Sequence, residues 1–156
     1  MQHGQVRRYR EIEIKTATPI ELVVLLYDTA IANLQKAQER LSTGEIAKRV
    51  ECINKVTAIL TELEANLNFE AGGQISYSLE RLYRYMKTRL FEANLHQDAA
   101  PLKECTRLMS DLRAAWAEVA RSEARKTASS ATAAPALSVS AGMPVGSPLA
   151  NLNVTA

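Results

Sequence analysis

The side chains able to do chemistry are few, and their spacing argues against most of it. Two histidines, His3 and His96, and two cysteines, Cys52 and Cys105, are all that this chain of 156 residues has of either type. A di-metal centre in a helical bundle needs two Glu-x-x-His pairs and two further carboxylates turned inward. His96 follows Glu92 by four residues instead of three, and His3 lies in an N-terminal arm, so neither completes such a pair. No metal site is expected. Cys52 and Cys105 occupy apolar helical positions with no basic partner in local reach, and read as core filler instead of nucleophiles, zinc ligands or a disulfide. Gly72 and Gly73 follow Glu70 without the GxxxxGK spacing of a phosphate loop, and serve a turn. No cofactor is expected, and the chain reads as a non-enzyme.

Charge narrows the partners. Lys and Arg number 19 against 17 Asp and Glu, a formal +2, too balanced for a nucleic-acid footprint. Arg81, Arg84, Lys87 and Arg89 interleave with Tyr83 and Tyr85, but at about 100° per residue they spread around a solvated face without forming one stripe. The start, MQHGQVRRYREIEIK, has no continuous apolar stretch of a secretory signal. The run Ile20 to Tyr27 is far shorter than the roughly 20 residues that cross a bilayer. A cytoplasmic protein with no membrane insertion is expected.

These residues must be positioned by helices. Thr18-Pro19-Ile20-Glu21 combines an N-cap hydroxyl, a proline at the first helical position and a glutamate placed to return to the cap's own N–H. From there Val23, Tyr27, Ala30, Leu34, Ala37 and Leu41 recur at steps of four and three. Ser42-Thr43-Gly44 ends that helix. A second seam runs Ile46, Val50, Ile53, Val56, Leu60, Leu63, Leu67. After the break Asn68 to Gln74, a third runs Ile75, Leu79, Leu82, Met86, Leu90, Ala93. After a turn at His96 to Ala100, a fourth runs Leu102, Cys105, Met109, Leu112, Trp116, Val119 and ends near Lys126. Connections this short make successive helices antiparallel neighbours. The expected fold is all-α: an antiparallel up-down four-helix bundle over residues 18–126, with an N-terminal arm over 1–17 and a flexible tail over 127–156. No charged residue occurs after Lys126, and three prolines and no aromatic residue fall in that tail.

One feature is in excess. With Val23, Tyr27 and Ala30 on the seam of the first helix, Leu22, Leu25 and Leu26 fall on its flanks, and each is worth about 1.5–3 kcal/mol when fully buried. Two readings stand side by side: neighbouring helices and the arm cover them, or they line a groove for another protein's apolar helix with the arm as a displaceable lid.

Three stretches, TATPIELVVLLYDTAI, AGGQISYSLERLYRYMKTRLFEANL and LRAAWAEV, together resemble the FliS family, the flagellin-specific export chaperones of bacterial flagella. The likeness spans roughly Val6 to Val119 and rests on LYD after apolar residues, GG before a helix, LYxYMxxRLxxAN, and a late AW pair. Thr29 stands where glycine often follows LYD, and Gln74 where glutamate commonly follows the double glycine. The resemblance implies a helical bundle that binds the disordered C-terminal segment of flagellin in the cytosol and delivers it to the flagellar type III export gate. Carried over to this chain, Val6 and Tyr9 match arm positions linked to lid behaviour and to contacts with the export gate. Tyr9, Ile12 and Ile14 are expected in the lid. Leu22, Leu25, Leu26 and Tyr27 are expected in the groove, with Tyr83 and Met86 as secondary members. Asp28 is expected to cap or to pair with Arg89. A regulatory helical module that binds another flagellar protein is the alternative, and self-association of the free protein as a homodimer is left open.

Overall fold

A computed structural model describes residues 7–8 and 17–132 of the chain. The first long helix, α1, spans Pro19–Thr43, and its start is built as the sequence demands. The Thr18 hydroxyl accepts from the Glu21 N–H at 3.2 Å while the Thr18 N–H donates to the Glu21 carboxylate at 2.9 Å. Both first-turn donors are thereby satisfied, which typically stabilises a helix end by about 1 kcal/mol. At the other end Gly44 takes φ +74°, a left-handed conformation that glycine adopts without steric cost.

Helix α2 covers Ile46–Ala65, a single turn α3 covers Phe69–Gly72, α4 covers Gln74–His96 and α5 covers Ala99–Thr132. Asn68 caps α3 by accepting from the Ala71 N–H at 3.0 Å, and Gly73, at φ +50°, turns the chain from α3 into α4. Helix α1 packs against α2 and α5, and α4 packs against the same two. The four long helices therefore form a square in which α1 and α4 are diagonal. Asp28 meets Arg113 and Gln38 meets Thr106, so α5 descends as α1 ascends. No strand occurs among the described residues.

The seams meet in one core. Tyr27, Ala30, Leu34 and Ala37 from α1, Val56 and Leu60 from α2, Met86, Leu90 and Ala93 from α4, and Leu102, Cys105 and Met109 from α5 are wholly buried. Two hydroxyls meet at the middle of this apolar interior. Tyr27 and Tyr83 share a hydrogen bond of 2.6 Å across the diagonal.

The helix ends depart from simple periodicity. Ile46 and Ile75, placed on seams by spacing, are exposed; at the start of α4 the buried phase runs through Ser76, Leu79 and Tyr83, one position on from Ile75. Arg49 is instead 3% exposed near the start of α2, and its Nε makes no hydrogen bond among the described residues. The last helix continues to Thr132, six residues past the end expected at Lys126. Thr127, Ser130 and Thr132 donate their hydroxyls to backbone carbonyls of the preceding turn, the usual placement of these side chains within a helix.

Candidate functional site

At 100° per residue, Val24, Asp28 and Glu21 turn from the core seam of α1 towards α5, whereas Leu22 and Leu26 turn the other way. The α5 side carries a hollow of about 310 Å³ lined by Ala17, Glu21, Val24, Leu25, Asp28, Arg113, Ala117 and Ala120. Two alanines three residues apart on α5 leave the space that larger side chains would fill. One wall is an ion pair: Arg113 donates from Nε to Asp28 Oδ1 at 2.8 Å and from Nη2 to Oδ2 at 3.4 Å. Hydrogen bonding to that carboxylate raises the Arg113 guanidinium further above its ordinary range. Arg89, the partner expected for Asp28, lies on the diagonal helix and pairs with Glu92 and Glu104.

The groove candidates fall into two groups. Leu22, Leu25 and Leu26 are half-buried. Leu25 joins the hollow, Leu26 packs on the edge of the core, and Leu22 belongs to neither. Tyr27, Tyr83 and Met86 have at most 1% of their surface exposed and line no surface groove. Desolvation pushes the Tyr27 phenol up to about 12 and raises Tyr83 as well, so both stay neutral at any physiological pH. The arm candidates Val6, Tyr9, Ile12 and Ile14 lie outside the described residues, although Ala17, where the arm joins α1, lines the hollow.

The α2/α4 flank has no counterpart in the sequence reading. At one end Glu64 accepts from both Arg84 (2.7 Å) and Lys87, and Arg84 also pairs with Glu80 at 2.5 Å. Those two cations hold the Glu64 carboxyl below its ordinary value, Lys87 the more strongly. Towards the other end the same faces carry no charge. Phe91 and Leu95 lie within about 20° of Arg84's direction on α4, and Ile46, Val50 and Thr57 within about 40° of Glu64's on α2. Phe91 is 67% exposed and Leu95 63%, with Ile46 at 55%. Adjacent apolar residues at 90–91, where one seam position suffices, were the available sign.

The described residues contain no group of three or more His, Cys, Asp or Glu that could hold a metal ion. Both cysteines are buried, and desolvation pushes the Cys105 thiol up to about 12, far from a reactive thiolate. No described helix is long and apolar enough to cross a membrane.

What the arrangement offers is apolar surface on two flanks of a helical bundle. The sequence model of a family described as Flagellar protein FliS matches residues 1–123. The chain belongs to the FliS family. It is 32% identical over 119 residues to the flagellar secretion chaperone FliS of Salmonella typhimurium, covering 73% of this chain and 88% of that one. The FliSB chaperone of Pseudomonas aeruginosa is 31% identical over 106 residues, 68% of this chain and 84% of its own length. The FliS of Bacillus subtilis is 30% identical over 115 residues, 74% and 85% respectively. FliS proteins carry the name of chaperones, a role that needs surface and no catalytic group.

Proposed function

We propose that this chain is an export chaperone that binds the disordered C-terminal segment of flagellin in the cytosol, keeps it from polymerising early, and delivers it to the flagellar type III export apparatus. The observation that carries this reading is the hollow between α1 and α5, where Leu25 and Val24 face Ala117 and Ala120. A volume of about 310 Å³ is at the small end for a ligand pocket, about 300–1,000 Å³. Its open, largely apolar lining suits side chains of an amphipathic helix laid along the flank, the helix-in-groove mode. Leu22 and Leu26 extend the contact on the other side of α1, and Phe91 and Leu95 supply a second surface on α4. Residues Val6, Tyr9, Ile12 and Ile14 act as a lid that the ligand displaces and as the contact to the export gate. Tyr27, Tyr83 and Met86 support the groove from beneath.

The energetics are adequate. Ordering a disordered ligand costs ~2–5 kcal/mol or more, and micromolar affinity needs about 8 kcal/mol net. Five or six apolar anchors buried fully, near the upper end of about 1.5–3 kcal/mol each, cover both. Calorimetric titration with full-length flagellin and with flagellin lacking its C-terminal segment tests the reading. Micromolar or tighter binding with a negative heat-capacity change is expected for the first, and at least a hundredfold weaker binding for the second. Equal affinity for the two forms would refute it.

A further inference from the structure

Among the described residues, two side-chain polar atoms are buried without a hydrogen-bond partner, Arg49 Nε and Asn94 Oδ1. Both belong to the apolar end of the α2/α4 flank, where the start of α2 lies beside the end of α4. Arg49 follows Ile46 by three residues and Asn94 follows Phe91 by three. At about 100° per residue, each therefore sits one turn on from an exposed apolar side chain and about 60° round from it. The rotation is inward: Arg49 lies within about 40° of Ile53, and Asn94 within about 40° of Leu90, both core residues. The exposed patch thus has unpaired polar groups directly beneath it.

Arg49 is the more telling of the two. It is 3% exposed and enters no ion pair among the described residues. The carboxylates that share its end of α2 and α4 are held by other cations: Glu45 by Arg40 and Lys48, Glu51 by Lys55, and Glu92 by Arg89. Arginine is almost never fully buried unless it is paired. A guanidinium in this position has lost hydration and gained no counter-charge in return.

We propose that this end of the flank docks a protein segment whose apolar side chains cover Ile46, Phe91 and Leu95 and whose aspartate or glutamate pairs with Arg49. The proposal rests on the proposed function only in taking Phe91 and Leu95 as binding surface, and it assigns the chemistry of what binds there. Side chains on a helix lean towards its N-terminus, which brings the Arg49 head towards Ile46. A carboxylate entering between Ile46 and Phe91 meets a planar fork of N–H donors, and the Asn94 carboxamide, turned about its last bond, offers the same group another N–H. Charge decides between an acid and a neutral amide. A glutamine could accept from Arg49 and donate to Asn94, but it would leave the buried charge uncompensated. Covering the apolar rim also expels water, and the pair strengthens as the local dielectric falls.

NMR on the isotope-labelled full chain tests the proposal by following the Arg49 Nε–H. Two synthetic helical peptides serve as probes, each with leucines one turn apart along one face and differing only in a glutamate or a glutamine beside them. The glutamate peptide should bind at least about tenfold more tightly. It should shift the Arg49 Nε–H together with the amides of Ile46, Phe91 and Leu95, and lose its advantage on Arg49→Met. The Nε–H shift is read in the wild type, so it decides the matter even where that variant does not fold. Equal affinity for the two peptides, tighter binding of the glutamine peptide, or a shift at the Arg113 Nε–H in place of Arg49 would overturn the proposal. Sodium acetate forms a third arm: an equal shift at Arg49 with acetate at the peptide's concentration would assign the site to a small free anion and overturn docking. Flagellin is in none of these arms, so their outcome is independent of whether it occupies the hollow between α1 and α5.

Discussion

The two flanks of the bundle carry comparable apolar content in opposite forms. Between α1 and α5 the residues are small on one side and large on the other, so Ala117 and Ala120 leave a hollow and Leu25 stays half-buried at its rim. Between α2 and α4, Phe91 and Leu95 stand out from a face that the Glu64 ion pairs close at one end. A hollow receives a side chain from outside, while protruding side chains must be received by someone else's hollow. The same partner helix cannot satisfy both in one register. If both flanks are used, they select different segments.

The largest effect should come from beneath both flanks. Met86→Ala empties a wholly buried position and should lower the unfolding free energy by ~2–5 kcal/mol in urea denaturation. Loss of partner binding with unchanged stability would instead place the binding surface in the core and dissolve the contrast between flanks. Next come substitutions that act on one flank each. Ala117→Leu fills the hollow and should weaken flagellin binding about tenfold, ~1.4 kcal/mol, with little change in melting temperature. Phe91→Ser with Leu95→Ser should do the same from the other flank and should leave the effect of Ala117→Leu additive, because the two sites share no partners. Strong non-additivity would mean that one ligand segment touches both.

The smallest effect concerns the closed end of the α2/α4 flank. Lys87 and Arg84 depress the Glu64 pKa below 4.5 in the folded state. A depressed carboxyl contributes stability above its unfolded pKa and loses it as the pH falls from 4.5 through the lowered value. Between neutral pH and about pH 3 the wild type should therefore lose ~0.5–1 kcal/mol more than Glu64→Gln, the range for a largely solvated pair. Parallel losses would show that these ion pairs do not distinguish the two ends.

Most of the helical register was legible. The capping box at Thr18 and the seams through Tyr27, Val56, Met86 and Met109 follow from spacing alone, because a residue wholly inside a bundle sees neighbours at every turn. Ile46, Ile75 and Arg49 were not legible, since a polar residue, Ser76 or Arg49, holds the buried position in the first turn and apolar spacing points to its neighbour. The pairing of Asp28 with Arg113 was missed for another reason. Helical phase tells which residues leave the core, but the square's arrangement decides which helix they meet, and α4 with Arg89 lies on the diagonal. The hollow was half visible, through Leu25, and its other half was hidden because alanines carry no periodic signal. The extension of α5 to Thr132 escaped a reading that equated loss of charge with loss of helix.

The hydroxyl contact between Tyr27 and Tyr83 has a consequence for which side chains the outside world meets. Rotating α1 about its axis by one position would swing Leu26 into the interior and turn Tyr27 outward, and apolar packing alone would object only mildly, since leucines and valines surround that helix on several sides. A polar contact buried at the centre resists such a turn, because the Tyr83 hydroxyl would be left in oil without its partner. The pair acts as a locking pin: by fixing the angular setting of α1, it dictates from the middle of the molecule what is displayed at its rim.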